Sequence, residues 1–115
     1  MKYLLLICMA ENAALDDAAA ARMGTDTTRW VDEMGAGQRN VLLQGHRLRP
    51  TSSATSVRVR AGQVLATDGP FAETKEQICG FDIIECDNLD EAIDVAARHP
   101  VAHVAIVEVR PFWEP

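Results

Sequence analysis

The sequence has 115 residues, 48% of them hydrophobic and 24% charged, with 11 basic and 17 acidic residues and a net charge of −6. This length fits one domain over residues 1–115, long enough to bury a core without disulfides or metals, and the composition excludes a disordered chain. The acidic balance argues against a dedicated nucleic-acid binder, because neutralising phosphates requires a basic surface.

The first half of the chain predicts a strand, a long helix and a second strand. Residues 2–9 are continuously apolar, which is typical of a strand covered on both faces. Residues 13–36 predict a helix, with acids near the start, apolar residues at helical spacing from Met23 onwards, and glycines at the end. Residues 40–44 predict a short strand that ends at Gly45-His46.

The second half predicts a β-hairpin, a strand, a helix and a last strand. The strands indicated by polarity and turn residues are 55–60 and 63–67 for the hairpin, 78–86 for the long apolar strand and 101–110 for the last one. The Ala-Gly turn of the hairpin leaves its loop length open. Asn88 and Glu91 have the spacing of a capping box, so a helix starts there, and Pro100 ends it.

This order predicts an α+β fold, a ferredoxin-like β-α-β-β-α-β sheet with an inserted β-hairpin and with both helices on one face. The strands are apolar on both faces, but two helices can cover only one of them. We therefore expect a homodimer in which the free faces of two sheets meet.

The apolar N-terminus resembles a signal peptide only superficially, because Glu11 interrupts it and no A-x-A-type cleavage site follows. It is also too short to span a bilayer, so we expect a cytoplasmic protein without membrane contact. Cys8, Cys79 and Cys86 form no C-x-x-C pair, and they predict reduced, buried thiols rather than a disulfide framework or a zinc ribbon.

The most specific feature of the chain is the nine-residue segment from Asp68 to Glu76, DGPFAETKE. With this segment the chain resembles the YCII-related family, in the branch named after its D-G-P-F motif. The resemblance covers nearly the whole chain, through MKYLLLI at 1–7, VRVR at 57–60, LDEAI at 89–93 and VEVRP at 107–111. It implies a dimeric α+β barrel, in agreement with the order of strands and helices.

The resemblance also implies two kinds of function. A histidine and an aspartate have suggested enzymatic activity in the family, and fusions to sigma-factor domains have suggested a role in transcription. In the YCII-like branch the histidine lies on the first helix, but the stretch Arg29-Trp30-Val31-Asp32 contains none. The aspartate after the second helix is matched here by His99-Pro100. Any activity of this chain must therefore use a different set of residues.

Asp68 is the first candidate for a general base, because a carboxylate before Gly-Pro can stand at the mouth of a pocket. The alternative, which we favour slightly, is that it accepts backbone N–H bonds and fixes the turn. Glu73 is a candidate to bind ligand at the same site, or else a solvated acid paired with Lys75. Phe71 is expected to anchor the core.

His46 is the second candidate for proton transfer, because an imidazole titrates near neutral pH. His99 is a candidate ligand-binding residue, or else a cationic imidazole that the dipole of the second helix favours. His99 and His103 are four residues apart, but Pro100 prevents a shared helical face, so we expect no metal site. The chain has no phosphate-binding loop or dinucleotide fingerprint, and we expect no cofactor.

Residues 34–67 contain five arginines and no Asp or Glu, which makes this part of the chain cationic. Arg47 and Arg58 are candidates to bind a small anion, such as a carboxylate or phosphate, through their guanidinium groups. The alternative, which we favour, is that these arginines pair with acids of the helices or of a partner subunit.

Two functions fit these residues. The first is a small lyase- or isomerase-like enzyme in which Asp68 and His46 move protons on a small, anionic organic molecule; other families with this fold run such chemistry without a cofactor. The second is a non-catalytic ligand-binding or regulatory module that works with a sigma-factor-type transcription protein. Neither function requires direct contact with nucleic acid.

Overall fold

A computed structural model describes residues 1–13 and 15–114, and this part of the chain forms six strands and two α-helices. In chain order they are β1 (Lys2–Met9), α1 (Asp17–Met34), β2 (Leu42–Arg47), β3 (Thr55–Arg60), β4 (Gln63–Asp68), β5 (Gln77–Glu85), α2 (Leu89–Ala97) and β6 (Ile106–Pro111). Short 3-10 turns span Thr51–Ser53 and Pro100–His103.

The main sheet has four strands in the order β2-β5-β1-β6, and each neighbouring pair is antiparallel. Strands β5 and β1 therefore lie at the centre, and β2 and β6 lie at the edges. This is the ferredoxin-like arrangement that the order of elements predicts. Strands β3 and β4 form a separate two-stranded sheet. The α+β class and the inserted hairpin are thus confirmed.

The core lies between one face of the main sheet and the two helices. Tyr3 and Leu5 of β1 and Ile84 of β5 are buried on this face. Trp30 of α1 is also buried, and its indole N–H donates a 2.9 Å hydrogen bond to the backbone carbonyl of Val95 in α2. This bond fixes the two helices to each other because a buried indole N–H without an acceptor would be costly.

Side-chain caps set the start of both helices. The carboxylate of Asp16 accepts a 2.7 Å hydrogen bond from the N–H of Ala19, so α1 begins at Asp17 and not at residue 13. Part of the predicted helix start, Ala14, lies outside the described residues. The predicted capping in α2 is confirmed, because Asn88 Oδ1 accepts a 2.9 Å bond from the N–H of Glu91.

Two strands differ from the prediction by more than one residue at an end. The last strand starts at Ile106 rather than 101, because the chain first makes a 3-10 turn in which Val101 accepts from the N–H groups of Val104 and Ala105. The second strand runs from Leu42 to Arg47 rather than over 40–44. Asn40 has a φ of 59°, a left-handed conformation that a strand cannot contain.

The hairpin has a two-residue loop of Ala61 and Gly62, with φ values of 50° and 76°. Two successive residues with positive φ match the twist of the flanking strands, as in a type I′ turn. Phe71, which follows the hairpin, is 85% exposed, so the expectation that it anchors the core is wrong. Its loop leaves the main sheet, and no core packs against the ring.

The face of the main sheet that points away from the helices is called the open face. By the strand register it carries Leu4, Leu6, Cys8, Gln44, His46, Ile78, Phe81, Ile83, Ile106, Glu108 and Arg110. Most of these side chains are apolar, and Ile78 and Ile106 are 42% and 51% exposed. Near one edge, Arg110 Nη2 lies 2.5 Å from Glu108 Oε2. The apolar second face that the sequence indicates is therefore present.

Candidate functional site

Asp68 ends β4, where it pairs with Thr55, and it is exposed. Its carboxylate makes no hydrogen bond or ion pair with the residues that the structure describes. The turn that follows is held by other groups: Gly69 N–H donates to the carbonyl of Ala54, and Ser56 Oγ donates to the carbonyl of Gly69, each at 2.8 Å. The backbone and Ser56, rather than the Asp68 side chain, fix this turn.

His46 lies on the open face of β2 and is exposed, with its ring 5.6 Å from the ring of Phe81. His46 and Asp68 belong to different sheets, and no hydrogen bond or ion pair joins them. The structure therefore does not bring together the two residues proposed for proton transfer from sequence.

Arg58 and Glu73 border two different cavities near the base of the hairpin. Arg58 lines an open cavity of about 410 Å³ together with Val57, Pro70 and Phe71. Glu73 lines a second one of about 350 Å³, and Pro70 contributes to both. The two predicted ligand-binding residues are thus neighbours in space but do not share one pocket.

Glu11 closes one side of the second cavity. Its carboxylate accepts hydrogen bonds from the hydroxyl and the backbone N–H of Thr51, at 2.6 and 2.7 Å. These bonds lower the pKa of Glu11 because they stabilise the ionised form. Since both of its oxygens already accept hydrogen bonds from Thr51, at the start of the 3-10 turn, Glu11 has a structural role here.

His99 is buried between the helices and is only 3% exposed. Its ring meets the edge of Trp30 at a centroid distance of 4.8 Å, and Nδ1 accepts a 3.1 Å hydrogen bond from the N–H of Val101. Burial lowers the pKa of His99 to about 4. The expectation of a cationic imidazole is therefore wrong, because desolvation outweighs the dipole of a short helix.

Asp82 in the middle of β5 is a buried carboxylate that is only 7% exposed. It lies on the helix-facing side of the sheet, opposite Leu5 and Gly45. No hydrogen bond or ion pair connects it to the other described residues. Burial raises the pKa of Asp82 to about 6, and the nearby charge of His46 opposes this shift only in part.

Gly45 of the edge strand β2 provides the space that the Asp82 carboxyl occupies. A Cβ at residue 45 would lie 1.9 Å from Asp82 Oδ1, so a side chain there would displace the carboxyl. Two residues further along β2, Arg47 is on the same face as Asp82, opposite Gly80, and is exposed. One face of this part of the sheet therefore carries a carboxyl with a raised pKa and, two residues along the edge strand, an arginine.

The three cysteines are free thiols, with Cys86 buried and Cys8 and Cys79 half-buried. Burial raises the pKa of each of the three thiols, which favours the unreactive protonated form. Across residues 1–13 and 15–114, no group of three His, Cys, Asp or Glu side chains is arranged to hold a metal ion. None of the helices in the same residues is long and apolar enough to cross a membrane.

The family model of the YCII-related domain matches residues 1–114, almost the full chain. The chain belongs to the YCII-related family. An uncharacterized protein of Rhizobium meliloti (strain 1021) is 45% identical over 90 residues, which cover 72% of this chain and 73% of that relative. The family resemblance of the sequence is therefore confirmed, while its assignment to the D-G-P-F branch stays a prediction.

Sequence reasoning missed Asp82 in this YCII-related protein. Its signal was present, since Asp82 is the one acid inside the apolar run from Ile78 to Ile84. A single charged residue in an otherwise apolar strand must either find a partner or shift its pKa. The D-G-P-F motif favours Asp68 instead, which lies exposed at the end of the hairpin.

Proposed function

We propose that this YCII-related protein is an acid/base enzyme, lyase- or isomerase-like, in which Asp82 moves a proton on a small organic anion. The observation that carries the proposal is Asp82, a buried residue whose carboxyl lies across Gly45 without a hydrogen-bonding partner among the described residues and keeps some contact with solvent. Asp82 thus takes the role that the sequence assigned to Asp68.

A buried carboxylate without a partner destabilises a fold, which favours a functional reason for its presence. General-base catalysis is most effective when the pKa of the base is close to the working pH. The pKa of about 6 leaves Asp82 mostly ionised at neutral pH, yet far more basic than a solvated aspartate. Asp82 is therefore suited to take a proton from a substrate and return it.

Arg47 supports the choice of an anionic substrate. Arg47 lies two residues along β2 from Gly45, on the face of Asp82 by the strand register, and its charge acts on the nearby Cys79 thiol. It makes no ion pair with the described acids, so it is available for a carboxylate or phosphate. His46 is on the opposite face of the same edge strand. Its charge acts on the Asp82 pKa, and we assign it no direct contact with substrate.

The homodimer through the open face is part of this proposal. Its support is the row of half-exposed apolar side chains on β1, β5 and β6. The association with a sigma-factor-type protein stays a prediction from the family resemblance, because no feature of the described surface selects such a partner.

The proposal is tested by a thermal-shift screen with small carboxylates, phosphates and phenolic acids, followed by proton exchange. Each compound that stabilises the protein saturably is incubated with it in D₂O, and loss of C–H signals is followed by NMR. The variants are Asp82→Asn, Arg47→Gln and Gly45→Ala, and Asp68→Asn is the matched control. Saturable stabilisation shows a folded protein that binds ligand.

We expect wild type and Asp68→Asn to bind one class of anion and to exchange one of its C–H protons. Arg47→Gln and Gly45→Ala should bind it weakly, and Asp82→Asn should bind it without exchange. Exchange that persists in Asp82→Asn and stops in Asp68→Asn would return the catalytic role to the hairpin. If no compound of these classes binds, the proposal is wrong.

A further inference from the structure

The cavity of about 410 Å³ at the base of the hairpin, called the hairpin cavity, has no role in the chemistry proposed for Asp82. Its volume is within the range of small-molecule sites. It lies between the start of β3 and the segment that follows β4, and its lining consists of Ala54, Thr55, Ser56, Val57, Arg58, Gly69, Pro70 and Phe71. Three of these residues belong to the D-G-P-F motif, to which the proposed enzyme gives no function.

The motif forms one wall of the hairpin cavity. The N–H of Gly69 donates a hydrogen bond to the carbonyl of Ala54, and Ser56 Oγ donates one to the carbonyl of Gly69, each at 2.8 Å. Gly69 has a φ of 104°, which favours glycine, and the ring of Pro70 fixes the φ of the next residue. Phe71 is therefore held by a turn with little conformational freedom, although its ring is exposed.

Arg58 lies on the side of the hairpin that this wall covers. Side chains alternate between the two faces of a strand, so Ser56 and Arg58 share one face of β3. Since the Ser56 hydroxyl reaches the carbonyl of Gly69, the motif lies over that same face. Asp68 pairs with Thr55 and falls on the opposite face by the same alternation, so its carboxylate does not line the cavity.

The charge of the lining selects an anion. Arg58 is the one charged residue among the described residues that line the hairpin cavity, and it makes no ion pair with the described acids. Glu11 and Glu73 line the neighbouring cavity, which shares Pro70 with this one. A guanidinium binds a planar carboxylate through two parallel N–H bonds, so a ligand with one carboxylate fits this lining.

Phe71 selects the body of the ligand. Its side chain is 85% exposed, and a ring at the wall of an open cavity is stabilised when a second aromatic ring stacks on it. Val57 and Pro70 add apolar surface to the lining. An aromatic carboxylate therefore matches the cavity better than a phosphate or a short aliphatic acid, because only the aromatic ring uses the apolar part of the lining.

We propose that the hairpin cavity binds an aromatic carboxylate, with its carboxylate on Arg58 and its ring stacked on Phe71. The D-G-P-F motif then has a binding function, since its turn places the Phe71 ring on a wall of the cavity that Arg58 also lines. This site is separate from Asp82 and Arg47, so the two proposals stand or fall independently.

The proposal is tested by an NMR titration of isotope-labelled wild type with three probes, benzoate, acetate and benzamide. Acetate has the carboxylate without the ring, and benzamide has the ring without the charge. The N–H signal of Gly69 reports on the hairpin cavity, and that of Gly45 reports on the surroundings of Asp82. The comparison of probes in wild type requires no variant.

Two variants change the lining of the cavity, Arg58→Gln and Phe71→Ala, and each has a matched control. Arg60→Gln removes a charge from the same face of β3 outside the cavity. Trp113→Ala removes an aromatic side chain that is 96% exposed and lies outside the lining. Circular dichroism shows whether each variant is folded.

We expect benzoate to shift the Gly69 signal saturably and to bind at least about tenfold more tightly than acetate or benzamide. Arg58→Gln and Phe71→Ala should each weaken benzoate binding by about tenfold or more. Arg60→Gln and Trp113→Ala should leave it unchanged. Added salt should weaken the binding of benzoate, because the contact with Arg58 is ionic.

A Gly69 signal that benzoate does not shift would overturn the proposal, including the case in which benzoate shifts the Gly45 signal alone. Equal effects of Arg58→Gln and Arg60→Gln would also overturn it, because they would indicate nonspecific attraction to the cationic hairpin. Acetate that binds as tightly as benzoate would contradict the stacking on Phe71.

Discussion

At the residue scale, the two buried titratable side chains, Asp82 and His99, differ in whether they have a hydrogen-bonding partner. Asp82 has no partner for its charge, whereas His99 uses Nδ1 to accept from Val101 and packs against Trp30. Burial raises the pKa of the carboxyl and lowers that of the imidazole, so both groups favour their neutral forms. Their contributions to stability therefore change with pH in opposite directions: that of Asp82 is lost as pH rises, and that of His99 is lost as pH falls.

Asp82→Asn should stabilise the protein at neutral pH and not at acidic pH. The folded-state pKa of about 6 lies above the ordinary 3.8, so the contribution of Asp82 is fully present below pH 3.8 and is lost as pH rises through 6. With allowance for solvent screening, the gain of the variant at neutral pH is about 2 kcal/mol. Urea denaturation across this range measures it, with Asp68→Asn as the control for an exposed position. An equal effect at both ends of the range would contradict the buried charge.

His99→Leu should make the stability of the protein less sensitive to acid. The folded-state pKa of about 4 lies below the ordinary 6.5, so His99 stabilises the fold above pH 6.5, and this stability is lost as pH falls through 4. The free energy of unfolding that is lost in acid is about 2 kcal/mol, again with allowance for solvent screening. The variant is less stable at neutral pH because it loses the Val101 bond, but its melting temperature should vary less over this range. A profile as steep as that of wild type would rule out His99 as the cause.

The candidate site shows why sequence could identify residue types but not their arrangement. The alternation of polar and apolar residues on the hairpin was readable, yet it could not show that Asp68 and His46 belong to different sheets. Nor could it show that Gly45 and Asp82 are opposite each other, because that depends on the register between strands that lie far apart in the chain.

At the scale of elements, one aromatic residue links α1 to α2 by a hydrogen bond. Trp30 is 2% exposed and donates to the carbonyl of Val95, 65 residues along the chain. It also packs against His99, which follows α2. The helices are amphipathic by sequence, but this long-range bond, and not helix propensity, fixes their relative position.

Trp30→Phe should therefore destabilise the fold by about 1–3 kcal/mol, because the Val95 carbonyl loses its indole partner and the smaller ring leaves a gap. The same substitution at Trp113, which is 96% exposed, is the matched control and should have almost no effect. Chemical denaturation of both variants measures the difference. Equal stabilities would show that the indole bond does not hold the helices together.

Sequence predicted the elements well and their ends less well. The capping pair Asn88 and Glu91 was readable because its signal is local. The 3-10 turn at Pro100–His103 was not, since Val101 is apolar and continues the pattern of the strand that follows. Phe71 was misplaced for a similar reason, because an aromatic residue is typical of a core and only tertiary structure shows that the loop leaves it.

At the scale of the whole molecule, the sheet has one covered and one open face. Ile106 on the open face and Ile93 on α2 are 51% and 50% exposed, so they form a matched pair on opposite sides of the sheet. If two open faces pair, Ile106→Lys should shift the protein to monomers in sedimentation, because it places a charge in the interface. Ile93→Lys should leave association unchanged. Equal effects of the two variants would argue against the open face as the interface.

An NMR titration of the Asp82 carboxyl carbon, assigned by its absence in Asp82→Asn, tests the proposed role of Asp82 most directly. We expect an apparent pKa of about 6, since Asp82 is buried and its carboxyl lies across Gly45 without a partner among the described residues. Gly45→Ala should move this value, because the added Cβ displaces the carboxyl. A pKa near that of a solvated aspartate would rule out Asp82 as the proton-transfer group.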